Sequence, residues 1–524
     1  MSGIFGASGS NPNEMERALH TMRHRGGHTS SGSAGPFMIA SISDRPEDFY
    51  SGPSLVAALA GTCFDEDGRM TAEAFARHYL ENGIPDFSLY SGHFALAISD
   101  GASGSLILYR DAIGIAPLHV SRGNGRIVFA SEYKAILATT GKTEIDRQAV
   151  EGYLKTGWTP PGRTFLEAIR PVPAGHLSHF RKDVAFCSRR NPRQFQIAGK
   201  PGDPVEATTS LLRNSVERMA AGCKTADTGL MLSGGVDSAL IGGLLKQALS
   251  GKTIRSYTVG YGEDDPEIKG ARDTAETLGF HHTALFLKPA DFDRLLPQAI
   301  SAMENLGGHD EYPCLMAAHE VAEGNVGIMF SGNLSDTLFA GMNEHRQLWE
   351  KGRADNSGAG QEGTLLSAEL QKSLMVRDER LSAQEMFAAR SGMSARMPYA
   401  DPALISLALG LPDSSKISAE RNKIVLRDAA SRVLPASIAN RPKGIQQLRY
   451  DEEMRGWLLQ RLSLARSSLV QTDMAFISPH IATVRDELKS QISTQTVHAA
   501  WNAVAVDFWA RQFVQLDQRA TRVA

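Results

Sequence analysis

Ser233, Asp237 and Ser238 stand in a glycine turn whose side chains suit a phosphate ligand held together with a metal. The two serine hydroxyls can donate to phosphate oxygens, whereas the Asp237 carboxylate would repel a phosphate unless a cation lay between them. Gly234 and Gly235 have no side chains, so the backbone can approach a ligand closely. The turn lacks the Gly-Lys-Ser/Thr ending of the Walker loop. These residues predict pyrophosphate bound with a divalent metal.

The flanking sequence places this turn between a buried strand and a helix. The apolar run 229–231 precedes Leu232, and the apolar stretch 239–245 follows. The N–H groups that open a helix point into such a turn and attract anions. A plain glycine turn between strand and helix is the alternative, but the complete heptapeptide favours ligand binding.

The heptapeptide 232–238 resembles the SGG(V/L/I)DS loop of the ATP pyrophosphatases, which split ATP into AMP and pyrophosphate while adenylating a substrate. The resemblance implies that ATP and Mg²⁺ are the cofactors and that Asp237 binds the metal. It assigns the following residues to nucleotide binding: Leu232, Ser233, Gly234, Gly235, Asp237 and Ser238.

Two later segments extend the resemblance. Segment 256–260 closes an apolar strand, and in this superfamily the matching segment lies against adenine, so Val259 is expected to pack on the ring. A plain buried strand is the alternative there. Segment 331–341 resembles the asparagine synthetase motif Ser-Gly-Glu-Gly-Ala-Asp-Glu-Leu-Phe-Gly-Gly, which implies nucleotide contacts for Ser331 and Gly332 and a second magnesium carboxylate, Asp336.

This motif departs from the family at positions beside the metal carboxylate. Asn333 and Thr337 replace its two glutamates, and Met342 replaces the tyrosine that usually follows. Because the metal and nucleotide positions are kept, the departures favour a changed acceptor and not a lost ATP site.

Lys443 and Glu385 are the candidate catalytic residues. The segments 423–427 and 441–444 resemble the family's Lys-x-x-Leu-Arg and Arg-x-Lys-x-Gly. The second match implies that Lys443 reaches the α-phosphate and the charge that develops there. A solvated surface lysine is the alternative. Glu385 precedes segment 394–401, which resembles the family's Glu-Ala-Arg-Val-Pro-Phe-Leu-Asp. In the β-lactam synthetase branch a glutamate of this region helps to deprotonate the amine, so Glu385 is a candidate base, with a solvated helix carboxylate as the alternative.

The first part of the chain resembles the glutaminase domain of asparagine synthetases, an N-terminal-nucleophile fold of two packed antiparallel sheets. The matching segments are 3–6, 24–26, 92–97, 110–118 and 129–137.

The chemistry of that domain does not carry over. Ser2 stands where the family has its cysteine nucleophile, Ala60 and Thr62 replace the asparagine and glutamate of Asn-Gly-Glu, and Ala72 replaces an aspartate. No arginine matches the one that holds the glutamine carboxylate. Loss of the thiol, the oxyanion donor and both amine-binding carboxylates leaves little to catalyse hydrolysis. A retained scaffold is the favoured interpretation, and a working serine amidase is the alternative.

The residue patterns that position these motifs change near residue 200. Residues 1–195 carry short apolar or alternating runs typical of strands, with a helix predicted at 71–83. A polar, proline-bearing linker is predicted at 190–205, after which strands alternate with helices, as in a parallel sheet covered on both faces. From about 365 the pattern is helical. We therefore predict an α+β sandwich (Ntn-hydrolase-like, 1–195) followed by an α/β parallel-sheet ATP-pyrophosphatase domain with a helical C-terminal part (205–524).

Composition narrows the class of protein. The 524 residues are 42% apolar and 22% charged with a formal net charge of −3, so no basic excess indicates nucleic acid. No run is long or apolar enough to span a bilayer, and no secretory signal is visible. The four cysteines are scattered. These features predict a cytoplasmic protein without membrane or nucleic-acid partners.

Together these features predict an AMP- and pyrophosphate-forming amide ligase that adenylates a carboxylate for attack by an amine. With the glutaminase chemistry absent, the amine is expected from the substrate, a peptide or small molecule carrying both groups. The favoured branch is the macrolactam-forming cyclase of lasso peptides, with a leader-peptide protease as partner. The alternatives are a β-lactam synthetase, an ammonia-dependent asparagine synthetase and a non-catalytic ATP-binding scaffold.

Overall fold

The computed structural model describes residues 1–181, 184–190, 202–224, 227–354, 364–376, 378–442, 451–469 and 473–514. Its strands are β1 (Ser2–Ser8), β2 (His28–Ala34), β3 (Phe37–Ser43), β4 (Phe49–Ser51), β5 (Leu55–Phe64), β6 (Ser91–Asp100), β7 (Ser105–Arg110), β8 (His119–Gly123), β9 (Arg126–Ala130), β10 (Ile169–Pro171), β11 (His176–Arg181), β12 (Val184–Arg190), β13 (Thr228–Met231), β14 (Ile254–Gly260), β15 (His281–Phe286), β16 (Ile328–Phe330) and β17 (Ser394–Arg396).

The α-helices are α1 (Pro12–Thr21), α2 (Ala72–Asn82), α3 (Tyr133–Thr140), α4 (Arg147–Thr156), α5 (Pro204–Ala220), α6 (Val236–Ala248), α7 (Pro266–Leu278), α8 (Phe292–Met303), α9 (Glu311–Ala322), α10 (Ser335–Leu338), α11 (Asn343–Ala354), α12 (Leu365–Val376), α13 (Asp378–Arg390), α14 (Pro402–Gly410), α15 (Ile424–Ala430), α16 (Ala436–Ala439), α17 (Glu452–Leu469), α18 (Ser478–Ser490) and α19 (Thr494–Phe513).

The N-terminal unit, which we define as residues 1–190, is built on two antiparallel sheets. Their strand orders are β10-β8-β9-β1-β3-β2 and β12-β11-β7-β6-β5-β4. Apolar residues of the two sheets form one buried cluster that includes Ile4, Ile39, Ala58, Ala97 and Phe129. The predicted sandwich is therefore confirmed, and the helix predicted at 71–83 is α2.

The second unit, residues 202–514, contains a five-stranded sheet in the order β15-β14-β13-β16-β17. Every pair in it is parallel, as the alternation of strands and helices predicts. The chain moves outward from β13 to β15 and then returns to the other side of β13. This reversal opens a crevice at the carboxyl ends of β13 and β16, the place where such sheets bind ligands.

Strand β17 is not among the predicted elements. Its three residues, Ser394–Arg396, do not form an apolar run, and the strand exists because it pairs with β16. Most other described elements after 365 are helices, as expected. The last of them, α19, buries Trp501 and Trp509 completely.

Among the described residues, none of the helices is long and apolar enough to cross a membrane. The predicted boundary between the two units stays a prediction, because the linker residues 191–201 lie outside the described part.

Candidate functional site

A cavity of about 800 Å³ opens at the crevice between β13 and β16. The turns that follow β13 and β16 meet in its wall, together with the end of β14 and the start of α15. Of the residues predicted to bind nucleotide or metal, those that line the cavity are Leu232, Ser233, Gly235, Asp237, Ser238, Val259, Ser331, Gly332 and Asp336.

Gly234 is the predicted nucleotide residue that does not line the cavity. Its N–H group donates to the Glu267 carboxylate at 2.8 Å, in the first turn of α7. A Cβ atom on Gly234 would lie 3.1 Å from backbone atoms of Glu267. Gly234 therefore packs the turn against α7, and the neighbouring residues of the turn line the cavity.

The serines hold the turn in shape. Ser238 Oγ accepts the N–H of Ser233 at 3.0 Å, and the two hydroxyl oxygens also lie 3.0 Å apart. Gly235 is the N-cap of α6 and has no side chain to bond the first-turn N–H groups. The start of α6 is thus a helix N-terminus at which backbone N–H groups face a cavity, as in anion-binding turns.

The second turn packs directly on this helix start. A Cβ atom on Gly332 would lie 2.8 Å from the backbone nitrogen of Ser238, so a side chain there would push the two turns apart. Ser331 is buried, and its Oγ has no hydrogen-bond partner within the described part of the chain. The two predicted motifs therefore form one site.

Asp237 and Asp336 meet at Lys423. The Lys423 ammonium lies 2.5 Å from Asp237 Oδ2 and 2.7 Å from Asp336 Oδ1. Lys423 is 2% exposed, and burial alone would lower its pKa, but the two carboxylates outweigh burial and raise the pKa of Lys423 above its ordinary value. The ammonium thus offsets one of the two negative charges of the carboxylate pair.

The same pair fits a magnesium ion. Asp237 Oδ1 is buried and makes no hydrogen bond to any described residue, so a lone pair remains for a cation. The described residues contain no group of three or more His, Cys, Asp or Glu side chains placed to hold a metal. Two carboxylates therefore fit a magnesium that takes its other ligands from phosphate oxygens and water.

Three further residues support the Asp237–Asp336 pair and the turn. Each lies in a segment that resembles a family motif, but the sequence alone assigns it no role. Lys423 belongs to the Lys-x-x-Leu-Arg segment 423–427. Arg441 donates to the carbonyls of Gly234 and Gly270 at 3.1 and 2.7 Å. Tyr399 is fully buried and donates to the Asp237 carbonyl at 3.1 Å. The motif matches are the sequence signal that points to these three residues. Their contacts do not follow from the sequence, because the residues they bind are distant in the chain.

Glu385 does not lie where a base for this cavity is expected. It is 7% exposed, and its carboxylate lies 3.9 Å from the Arg25 guanidinium of the N-terminal unit. Burial raises the pKa of Glu385. Its neighbour Gln384 lines the cavity, whereas Glu385 does not. This face of α13 packs on the other unit, and the role of Glu385 as a base stays a prediction.

Lys443, the other predicted catalytic residue, lies outside the described residues. Its role at the α-phosphate stays a prediction.

A further wall of the cavity was not foreseen from the sequence. It contains Trp158, His309, Asp310 and His498. The rings of His309 and His498 stack with centroids 4.2 Å apart. Burial, followed by the neighbouring His498, lowers the pKa of His309 to about 4. Burial also raises the pKa of Asp310 to about 7, and the Tyr261 hydroxyl donates to its carboxylate.

Ser2, at the position of the family's nucleophile, is buried. Ser2 is 1% exposed, and its Oγ accepts the N–H of Gly61 at 2.9 Å. Arg45 lies close by, but its guanidinium donates to the Gly61 carbonyl at 2.7 Å and to Asp48 at 3.1 Å. Arg25 also donates to the Ser2 carbonyl, at 3.3 Å, so both arginines around Ser2 already have protein partners.

Comparison with known proteins gives two domain matches. The profile of the asparagine synthase family matches residues 207–384 and 365–511, and that of a glutamine amidotransferase domain matches residues 54–189.

Individual relatives are distant. A Mycobacterium tuberculosis protein named as a glutamine-hydrolysing asparagine synthetase is 24% identical over 481 residues, which cover 76% of this chain and 72% of the relative. Asparagine synthetase 1 of Bacillus subtilis is 26% identical over 275 residues, 52% of this chain and 42% of the relative. A solved glutamine phosphoribosylpyrophosphate amidotransferase from B. subtilis, complexed with ADP and GMP, is 15% identical and covers 64% of this chain and 77% of its own, with a TM-score of 0.27.

Proposed function

We propose that this chain, which belongs to the asparagine synthase family, is an ATP-dependent ligase that joins a carboxylate and an amine of the same substrate. Family membership supports an ATP-dependent carbon–nitrogen ligase. The intramolecular reaction, and the macrolactam cyclase of lasso peptides as its most favoured form, are our proposal.

One observation carries the proposal: Asp237 and Asp336 face each other beside the bare N-terminus of α6, in a cavity of about 800 Å³. Backbone N–H groups and hydroxyls suit phosphate oxygens, and the carboxylates suit the metal that bridges to them. This arrangement supports pyrophosphate as the leaving group.

In the proposed reaction a substrate carboxylate oxygen attacks the α-phosphorus of ATP, and the bond to pyrophosphate breaks. The amine then attacks the activated carbonyl, AMP leaves and the amine loses a proton. Asp237 and Asp336 would hold Mg²⁺, which neutralises charge on the departing pyrophosphate when bound. The N–H groups at the start of α6 orient the phosphates, and Lys423 supplies a cation beside them.

The N-terminal unit supports a substrate amine over ammonia from glutamine. Ser2 is enclosed, and Ala60, Thr62 and Ala72 occupy the positions of family groups that bind or activate glutamine. The changed positions Asn333 and Met342, which both line the cavity, support a changed acceptor.

The adenylation step is tested by its products. With substrate, Mg²⁺ and ATP, we expect AMP and pyrophosphate and no ADP. Asp237→Ala and Asp336→Ala should abolish the reaction, because each removes a metal carboxylate worth several kcal/mol in the transition state, roughly a thousandfold in rate. Asp264→Ala, at a fully exposed carboxylate, is the matched control. ADP as product, or near-normal rates in both metal-site variants, would contradict the assignment.

The acceptor is tested with three probes: aspartate with ammonium, a β-amino acid, and peptides that carry a free N-terminal amine and an internal Asp or Glu. An intramolecular reaction is independent of ammonium and gives a product one water lighter than the substrate. Asparagine formed at a useful rate would overturn the choice of acceptor and leave adenylation standing. If the chain is a cyclase, we also propose a leader-peptide protease as its partner. Co-purification of the chain with proteins encoded by the neighbouring genes would test this.

A further inference from the structure

The segment that joins α8 to α9, residues 304–310, has an unusual backbone. Glu304 has a φ of 65°, Gly308 of 69° and His309 of 45°. Positive φ is unfavourable for residues with a side chain and persists where surrounding contacts enforce it. The end of this segment, from Gly308 to Asp310, lines the cavity.

The N-terminal unit holds the start of the segment. The Glu304 carboxylate is fully buried and accepts the N–H groups of Tyr133 and Lys134, at 2.6 and 2.9 Å. These are the first residues of α3, so Glu304 from the second unit caps a helix of the first. The Tyr133 hydroxyl also donates to the Glu304 carbonyl, which accepts in addition the indole N–H of Trp509, on α19 of the second unit, at 2.7 Å.

The N-terminal unit also holds the middle of the segment. Thr159 Oγ1 donates to the Leu306 carbonyl at 3.0 Å. A Cβ atom on Gly307 would lie 2.9 Å from the ring of Trp158, so the two approach as closely as a glycine permits. Trp158 itself reaches the cavity wall.

We propose that the N-terminal unit, instead of releasing ammonia, serves as a template for the synthetase cavity. It contributes Trp158 to the wall, and through α3 and Thr159 it holds segment 304–310 in the conformation that presents His309 and Asp310 to the cavity. Trp158 is thus a wall residue, and Glu304 and Thr159 are positioning residues. The identification of the cavity as the ligase site rests on the proposed function. The template role of the N-terminal unit does not depend on that function.

The template role explains why a unit without amidase residues is retained. The sandwich must be folded to place Trp158 in the cavity wall and to bind Glu304 at the start of α3. Neither task requires the groups that hydrolyse glutamine. The wall it shapes combines an indole, stacked imidazoles and the Asp310 carboxylate. This chemistry suits the protonated amine or aromatic part of a substrate.

The test measures backbone hydrogen exchange in the full-length protein by mass spectrometry. Thr159→Val removes the hydroxyl bond to Leu306 with little change in shape and leaves the longer N–H bond of Thr159 to the same carbonyl, at 3.4 Å. Glu304→Gln keeps the length of the side chain but weakens the cap. In both variants we expect exchange in peptides covering 305–310 to rise about tenfold. Trp158→Ala should produce a similar rise, and Trp158→Phe should restore protection.

Ser382→Ala is the matched control, because Ser382 also joins the units, by donating to the Gly114 carbonyl at 2.8 Å, but lies on α13. Unchanged exchange at 305–310 in Thr159→Val and Glu304→Gln, or an equal rise in Ser382→Ala, would overturn the template. AMP formation should fall at least about fivefold in the first two variants and stay within about twofold in Ser382→Ala. If the wild type forms no AMP, the proposed function fails while the exchange result still decides the template.

Discussion

Lys423 lies between Asp237 and Asp336, the two carboxylates that would hold a magnesium ion. A buried ammonium between two carboxylates keeps the metal-free site from carrying two unpaired negative charges. A bound Mg²⁺ would supply positive charge to the same carboxylates, and Lys423 would then be a second cation beside the phosphates.

This arrangement predicts a magnesium rescue. Lys423→Ala should lower the free energy of unfolding of the metal-free protein by about 1–3 kcal/mol, because two carboxylates lose a charged partner. Added Mg²⁺ should raise the thermal midpoint of the variant more than that of the wild type, since no ammonium has to move. Lys416→Ala is the control, because Lys416 is also buried but its ammonium pairs with neither aspartate within the described residues. Equal magnesium shifts in all three proteins would refute this view.

Ser2 gives a second prediction at the scale of single residues. Purified protein with glutamine should release no glutamate above background, because Ser2 is enclosed and Ala60 and Thr62 cannot replace the missing donor and carboxylate. Ser2→Ala should not change the measured rate. Robust release that disappears in Ser2→Ala would show a working serine amidase instead.

The elements around the turn 232–238 explain why this site could be located from sequence. Strand β13, the turn and α6 are consecutive in the chain, so an apolar run, two glycines and a helical stretch are enough to predict them. Lys423 and Arg441 were not assigned roles because they reach the turn from far along the chain. Strand β17 was missed for a related reason, since only its pairing with β16 makes it a strand.

Packing of α7 on the turn predicts opposite effects for two helical glycines. A Cβ atom on Gly270 would lie 2.8 Å from the Cα of Gly234, whereas one on Gly456, in α17, meets no atom within 4 Å. Gly456→Ala should raise the free energy of unfolding by about 0.5–1 kcal/mol, because alanine favours a helix. Gly270→Ala should lower it and weaken Mg·ATP binding, since the turn must move. Calorimetric titration and urea unfolding measure both effects; equal behaviour of the two variants would contradict the packing.

Across the whole molecule the sequence predicted two units of the observed classes but not how they meet. Each sheet follows from local patterns, whereas the contacts of Glu304 with α3 and of Glu385 with Arg25 join residues remote in the chain. Glu385 shows the consequence. Its type and region suggested a base, but the packing of the units turns the carboxylate towards Arg25. The contacts between the two units, and the roles that follow from them, can be read only from the three-dimensional structure.

Buried neutral histidines predict how the assembled molecule responds to acid. Burial lowers the pKa values of His93 and His119 to about 3 and of His309 and His319 to about 4, from an ordinary 6.5. Between these values and 6.5 the unfolded chain binds protons that the folded protein does not. Stability is therefore fully present above pH 6.5 and falls as the pH is lowered, by up to about 1.4 kcal/mol per pH unit for each histidine.

His319→Asn tests this prediction, because the amide can still donate to the Leu315 carbonyl that His319 Nδ1 contacts at 2.7 Å. Urea unfolding at pH 7.5, 6.5 and 5.5 should show a shallower loss of stability in this variant than in the wild type, by up to about 1.4 kcal/mol per pH unit below 6.5. His28→Asn, at an exposed histidine, should follow the wild type. An unchanged slope in His319→Asn would mean that His319 is protonated in the folded protein, and that the acid sensitivity of the molecule originates elsewhere.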